Sequence, residues 1–173
     1  DNKNTPLIQF HKHLNEKLWN NNQLKKEVRI KLIDIAKEFY KFLDMEALKL
    51  KDIIFTGSNA AYNYTSYSDI DLHLIVDYSK FDDIELIDNL FMTKKTLWNE
   101  QHDIYIRGYN VELYVEDLAE PVVANGIFSV IKNEWIMQPK YLEPNYDDDA
   151  LISKTIFWMQ YIKKIIKEDP NPS

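Results

Sequence analysis

Apolar residues recur along this chain at two spacings, one helical and one alternating, and the order in which they do so outlines the fold. Phe10, Leu14 and Leu18, four residues apart, predict a helix over residues 7–19, which Asn20-Asn21-Asn22 then breaks. Val28, Leu32, Ile35, Ala36, Phe39 and Leu43 form a longer stripe and predict a helix over 23–47. Leu50 to Thr56 reads as a strand, a turn with a short helix follows at Gly57-Ser58, and Asp69 to Val76 alternates as a second strand. A helix over 82–99 is expected to bury Leu86, Leu90 and Leu97. His102 to Arg107, a turn at Gly108-Tyr109-Asn110 and Val111 to Val115 read as a hairpin. Pro121 to Met137 is β-prone, with turns at Asn125-Gly126 and Lys132-Asn133. Last, Asp147-Asp148-Asp149 is placed to cap a helix running to about Lys167, with Ile152, Ile156, Met159, Ile162 and Ile166 as its stripe.

Helices interleaved with strands of both kinds predict an α/β (α+β) fold: a small mixed sheet with flanking helices and helical N- and C-terminal segments. We expect one domain over 1–173, divided into N-terminal helices (1–49), a core (50–116), and a β-prone segment with a C-terminal helix (117–173). With 173 residues, 45% of them hydrophobic, the chain can bury most of its apolar surface in one core. There is no Cys, which excludes disulfides and thiolate zinc sites and fits a cytoplasmic location. No apolar run reaches transmembrane length and no signal peptide is evident, so no membrane partner is expected. The Asp1 start reads as a trimmed N-terminus, and Asp169 to Ser173 as a tail or a cut before something larger.

Charge narrows the choice of partner. The formal net charge is −7, yet residues 1–50 carry ten Lys or Arg against seven Asp or Glu, so the remainder is strongly acidic. Asp69, Asp71, Asp77, Asp82, Asp83, Glu85 and Asp88 crowd one stretch with only Lys80 between them, which favours cations and opposes a nucleic-acid backbone. The Lys25-Lys26-x-x-Arg29-x-Lys31 cluster reads as the wet face of a helix.

Candidate chemistry gathers around residues 56 to 76. Asp69 and Asp71, two apart in an extended segment, share one face while Ile70, Leu72 and Leu74 take the other. Two adjacent carboxylates repel unless a divalent cation lies between them, and hard oxygen donors suit Mg²⁺. Just upstream, Gly57 permits a sharp turn and close approach, and Ser58, with the amides of Asn59 and Ala60, is placed to hold phosphate oxygens. No Walker A loop or dinucleotide-binding glycine pattern is present. A third acid on a neighbouring strand would complete such a site. Glu112 lies within alternating apolar positions; Glu116, on the same face, is the rival at the strand end.

Gly57, Ser58, Asp69, Asp71 and Glu112, in that order, resemble the signature of the nucleotidyltransferase superfamily of DNA polymerase β type: a hydrophobic strand, Gly-Gly/Ser, an intervening stretch, Asp-hydrophobic-Asp/Glu, then a lone acid. The resemblance covers roughly residues 50–116, and its phrasing is similar to small predicted nucleotidyltransferases of bacteriophages. It implies a polymerase-β-like fold and a metal-dependent enzyme, cytoplasmic in a bacterial host. It also implies transfer of an NMP from an NTP, ATP being favoured, to a hydroxyl acceptor with release of pyrophosphate. Asp69 and Asp71 would hold two Mg²⁺ ions (or Mn²⁺), with Glu112 completing the catalytic one. Many small members carry an Arg soon after Gly-Ser, whereas residues 59–68 contain no Lys or Arg. The acceptor, whether small molecule, protein or RNA end, is not specified by this pattern. Alternatives are a non-catalytic nucleotide-binding or regulatory module and an antitoxin-like enzyme that modifies a partner protein.

Other residues receive plainer readings. His73 is expected to pack as a neutral side chain, with a phosphate contact as the alternative. His102-Asp103 lacks further His at metal spacing and is discounted as a hydrolase pair. Tyr62, Tyr64 and Tyr67 offer a ring for a base or ribose. Lys154 is expected to be solvated, with a triphosphate contact as the alternative, and Trp19, Trp98, Trp135 and Trp158 to pack in the core or its rim.

Overall fold

The computed structural model describes residues 9–120 and 122–141. The C-terminal helix expected from Asp147 to about Lys167, with Lys154 and Trp158, lies outside the described residues.

The architecture is mixed α+β. A short hairpin, β1 (Trp19–Asn20) and β2 (Gln23–Leu24), leads into α1 (Lys26–Leu43). Then come β3 (Leu50–Thr56), a 3₁₀ turn (Ser58–Ala60), β4 (Ile70–Val76), α2 (Ile84–Gln101), β5 (Tyr105–Ile106), β6 (Tyr109–Asp117), β7 (Ile127–Ser129) and β8 (Glu134–Met137). The last six strands form one sheet in the order β5-β6-β4-β3-β7-β8, and β4 and β6 are parallel within an otherwise antiparallel set. A parallel pair needs a crossover, which α2 supplies.

Alternation along the central strands divides the sheet into two unlike faces. Ile70, Leu72 and Leu74 of β4, Phe55 of β3, and Val111 and Leu113 of β6 are buried in one core with Val28, Leu32, Ala36, Phe39 and Leu43 of α1 and Phe91 and Trp98 of α2. The other face runs from a small apolar cluster, Ile54, Ile75 and Ile127, to a polar end carrying Thr56, Asp71 and Glu112.

Four expectations need correction. Residues 9–18 are not helical: the chain makes a single turn at 16–18. Leu14 and Leu18 are buried as expected, but the Asn15 side chain caps Lys17 N–H and bonds Asn59 and Tyr109, while His11 N–H bonds the Tyr62 carbonyl. These tertiary bonds outcompete helix formation in a short segment. In α2 the predicted stripe is reversed, with Leu86, Leu90 and Leu97 exposed and the larger Phe91 and Trp98 buried. The two aromatics remove more apolar area and turn the helix by about 100°, one residue's worth. The strand expected over 102–107 shrinks to Tyr105–Ile106, because His102 stacks on Trp98 and caps α2. The hairpin turn falls at Arg107-Gly108, and Tyr109 and Asn110 already belong to β6.

Candidate functional site

Strand register brings the acids together. β4 and β6 run parallel with Asp71 opposite Glu112, and β3 places Thr56 opposite Asp71, so one row crosses three strands on the face away from the helices. Asp69, just before β4, has its carbonyl bonded by Asn59 Nδ2 at 3.0 Å. One carboxylate oxygen from each of Asp69, Asp71 and Glu112 lies within 4.8 Å of the others, and all three residues are half-buried. Glu116 is four residues along β6 from Glu112, about 13 Å at strand rise, and bonds His73 Nδ1 at 3.2 Å instead. The rival acid is therefore engaged elsewhere.

Gly57 stands against this row. At φ 90° and ψ −173° it occupies a region nearly closed to other residues, and a Cβ there would meet Asp71 Oδ2 at 2.5 Å. The group that approaches Gly57 closely is thus the Asp71 carboxylate. In the 3₁₀ turn that follows, Ala60 N–H bonds the Gly57 carbonyl, so this amide is committed within the turn. Ser58 Oγ bonds Ser68 Oγ at 2.6 Å and ties the turn to the segment entering β4.

Two side chains whose bonding was not anticipated from the sequence, Asn59 and Tyr114, support the row. Asn59, fully buried, bonds Asp69 and Asn15 through its side chain and accepts Trp19 Nε1–H on its carbonyl at 2.8 Å. Tyr114 donates to Glu112 Oε2 at 2.6 Å. Burial, reinforced by the negative charge of Asp71 and Glu112, pushes its phenol far above the usual range, so it remains a donor. Its ring stacks on His73 with centroids 4.7 Å apart, and Lys95 Nζ lies 4.5 Å from the same ring's centroid. A signal for Asn59 was present in its position, a polar residue between the turn and the apolar Ala60-Ala61. Tyr114 offered one in its place two residues beyond Glu112, on the same strand face.

His73 is packed rather than open. Its Nδ1 meets the Glu116 carboxylate, which can only accept, so Nδ1 carries a proton; Nε2 lies 2.9 Å from Thr56 Oγ1. Of the three candidate tyrosines, Tyr62 packs against the core and Tyr64 stacks on His11 at 3.8 Å, which leaves Tyr67, 85% exposed, open to a ligand. Trp19 and Trp98 are buried, and Trp135 packs at the rim. Arg29, from the basic cluster, clamps the carbonyls of Val130 and Ile131. No helix among the described residues is long and apolar enough to cross a membrane.

An octahedral Mg²⁺ shell with bonds near 2.1 Å sets neighbouring oxygens about 3 Å apart and opposite ones about 4.2 Å. With separations of up to 4.8 Å, at most one pair can span opposite corners and the others must close by up to about 1.8 Å, a range that side-chain rotation covers, so three hard oxygen donors are near enough to hold such an ion once their side chains draw in. Comparisons with protein-family models, curated proteins and solved structures returned no match.

Proposed function

We propose that this chain is a metal-dependent nucleotidyltransferase that moves an NMP from an NTP, ATP being favoured, to a hydroxyl acceptor. The single observation carrying this reading is the convergence of Asp69, Asp71 and Glu112 within 4.8 Å beside a Gly57-Ser58 turn. Asp69, Asp71 and Glu112 would hold Mg²⁺, which when bound neutralises phosphate charge and favours the deprotonated acceptor hydroxyl. The acceptor hydroxyl would release its proton to solvent, its oxygen would bond to the α-phosphorus, the bond from that phosphorus to the bridging oxygen would break, and pyrophosphate would leave with the electron pair. The chain's own contribution is positioning. The turn at Gly57-Ser58 orients the triphosphate, Tyr114 holds the Glu112 carboxylate, and Asn59 fixes the turn against Asp69.

The test is incubation with each α-labelled NTP, Mg²⁺ or Mn²⁺, and a bacterial lysate, followed by location of the label. Transfer with pyrophosphate release, abolished by Asp71→Asn in a protein that melts like the parent, is the expected result. Absence of transfer from every NTP across a broad acceptor panel refutes the reading.

A further inference from the structure

α2 turns Phe91 and Trp98 into the core, and Lys95 falls on the same stripe, at the i+4 position from Phe91 and three before Trp98. A lysine is a costly choice for a core-facing position, where an apolar side chain would serve packing better. Lys95 is half-buried, and its ammonium lies 4.5 Å from the centroid of Tyr114. Asn99, one turn on, makes two hydrogen bonds to the Leu113 backbone, donating from Nδ2 and accepting at Oδ1, both at 3.1 Å. That pair docks α2 on β6 directly beside Tyr114 and so fixes where the Lys95 ammonium can reach. The hydroxyl of the ring it covers is bonded to Glu112, one of the three converging acids.

The electrostatics give this placement a purpose. Three carboxylates together with a triphosphate outweigh the charge of two divalent cations, so the loaded site needs a further positive group. Residues 59–68, between the turn and Asp69, contain neither Lys nor Arg. We infer that Lys95 is a substrate-binding residue, whose ammonium contacts the phosphates of the nucleotide. This rests on the nucleotidyltransferase reading of the same site.

Lys95→Ala and Lys95→Arg separate this role from a structural one. The Ala variant is expected to raise the Kd for Mg·ATP tenfold or more and to leave thermal melting within a few degrees of the parent. It should also bind Mn²⁺ alone, titrated by EPR without nucleotide, as tightly as the parent or several-fold tighter, because a positive charge near the acids has been removed. The Arg variant should recover most of the ATP affinity. ATP affinity within twofold of the parent in Lys95→Ala overturns the inference, and so does joint loss of ATP and Mn²⁺ binding with a lowered melting temperature, which would make Lys95 a packing residue. If the parent protein binds neither Mn²⁺ nor ATP, the nucleotidyltransferase reading itself fails and the Lys95 role falls with it.

Discussion

Replacing Gly57 with Ala tests the link between backbone shape and metal binding most directly. Two separate penalties arise. The backbone at φ 90° and ψ −173° costs an L-residue about 1–3 kcal/mol. The new methyl would also sit 2.5 Å from Asp71 Oδ2, against an ordinary contact of 3.4 Å or more, and the carboxylate is the part able to yield. A displacement approaching 1 Å takes Asp71 out of the common site with Asp69 and Glu112. Gly108 supplies the control: its φ is +86°, yet nothing lies within 4 Å of its Cβ position. Gly108→Ala should therefore lose about 1–2 kcal/mol in urea unfolding and keep Mn²⁺ affinity. Gly57→Ala should lose about 1–3 kcal/mol and, in an EPR titration, bind Mn²⁺ at least about tenfold more weakly. Equal Mn²⁺ affinity in the two variants would refute the argument, since it would mean that the Asp71 carboxylate has no part in holding the ion.

Three further outcomes follow from the same geometry. Tyr114→Phe removes the hydroxyl on Glu112 and should weaken Mn²⁺ binding by about tenfold while costing stability no more than about 1.5 kcal/mol, read by EPR and urea unfolding. Asn59→Ala deletes two side-chain bonds, one buried and one part-buried, and should cost about 2–4 kcal/mol in urea unfolding, far more than an exposed Asn in the same protein. Burial raises the phenols of Tyr78 and Tyr114 in the folded state, with Asp88 adding to the first and Asp71 to the second. Their contribution to stability is therefore complete below the unfolded pKa near 10 and is lost as pH climbs above it; urea unfolding between pH 8 and 11 should show a flat region and then a fall, shallower in Tyr78→Phe.

The parts of this molecule legible from sequence were those written in local periodicity. The β3 span, the α1 stripe and the alternation of β4 that sets Asp71 opposite in face to Ile70 and Leu72 follow from spacing alone, because a half-buried strand or an amphipathic helix repeats the same environment, whereas the placing of Glu112 beside Asp71 is set by the parallel register of β4 and β6. Where a long-range bond decided the outcome, spacing misled. Phe10, Leu14 and Leu18 read as a helical face, yet Asn15 is committed to Asn59 and Tyr109, residues far along the chain. In α2 two apolar stripes competed, and counting leucines could not weigh them against Phe91 and Trp98. Lys95 was hidden for the same reason, since its place on the inward stripe is apparent only once the helix rotation is known.

Asn59 has a consequence for how this protein can be dissected. The segment from residue 50 to residue 116 contains every acid of the site, but its turn is stitched from outside by Asn15 and Trp19. On its other flank Gly126 lies so close to the Ala60 carbonyl that a Cβ would come within 2.1 Å of it. Excising the motif-bearing stretch as a minimal module would cut both tethers and release the loop they restrain. The smallest fragment that keeps the three acids and their turn in this arrangement must then begin upstream of Asn15 and extend beyond Gly126.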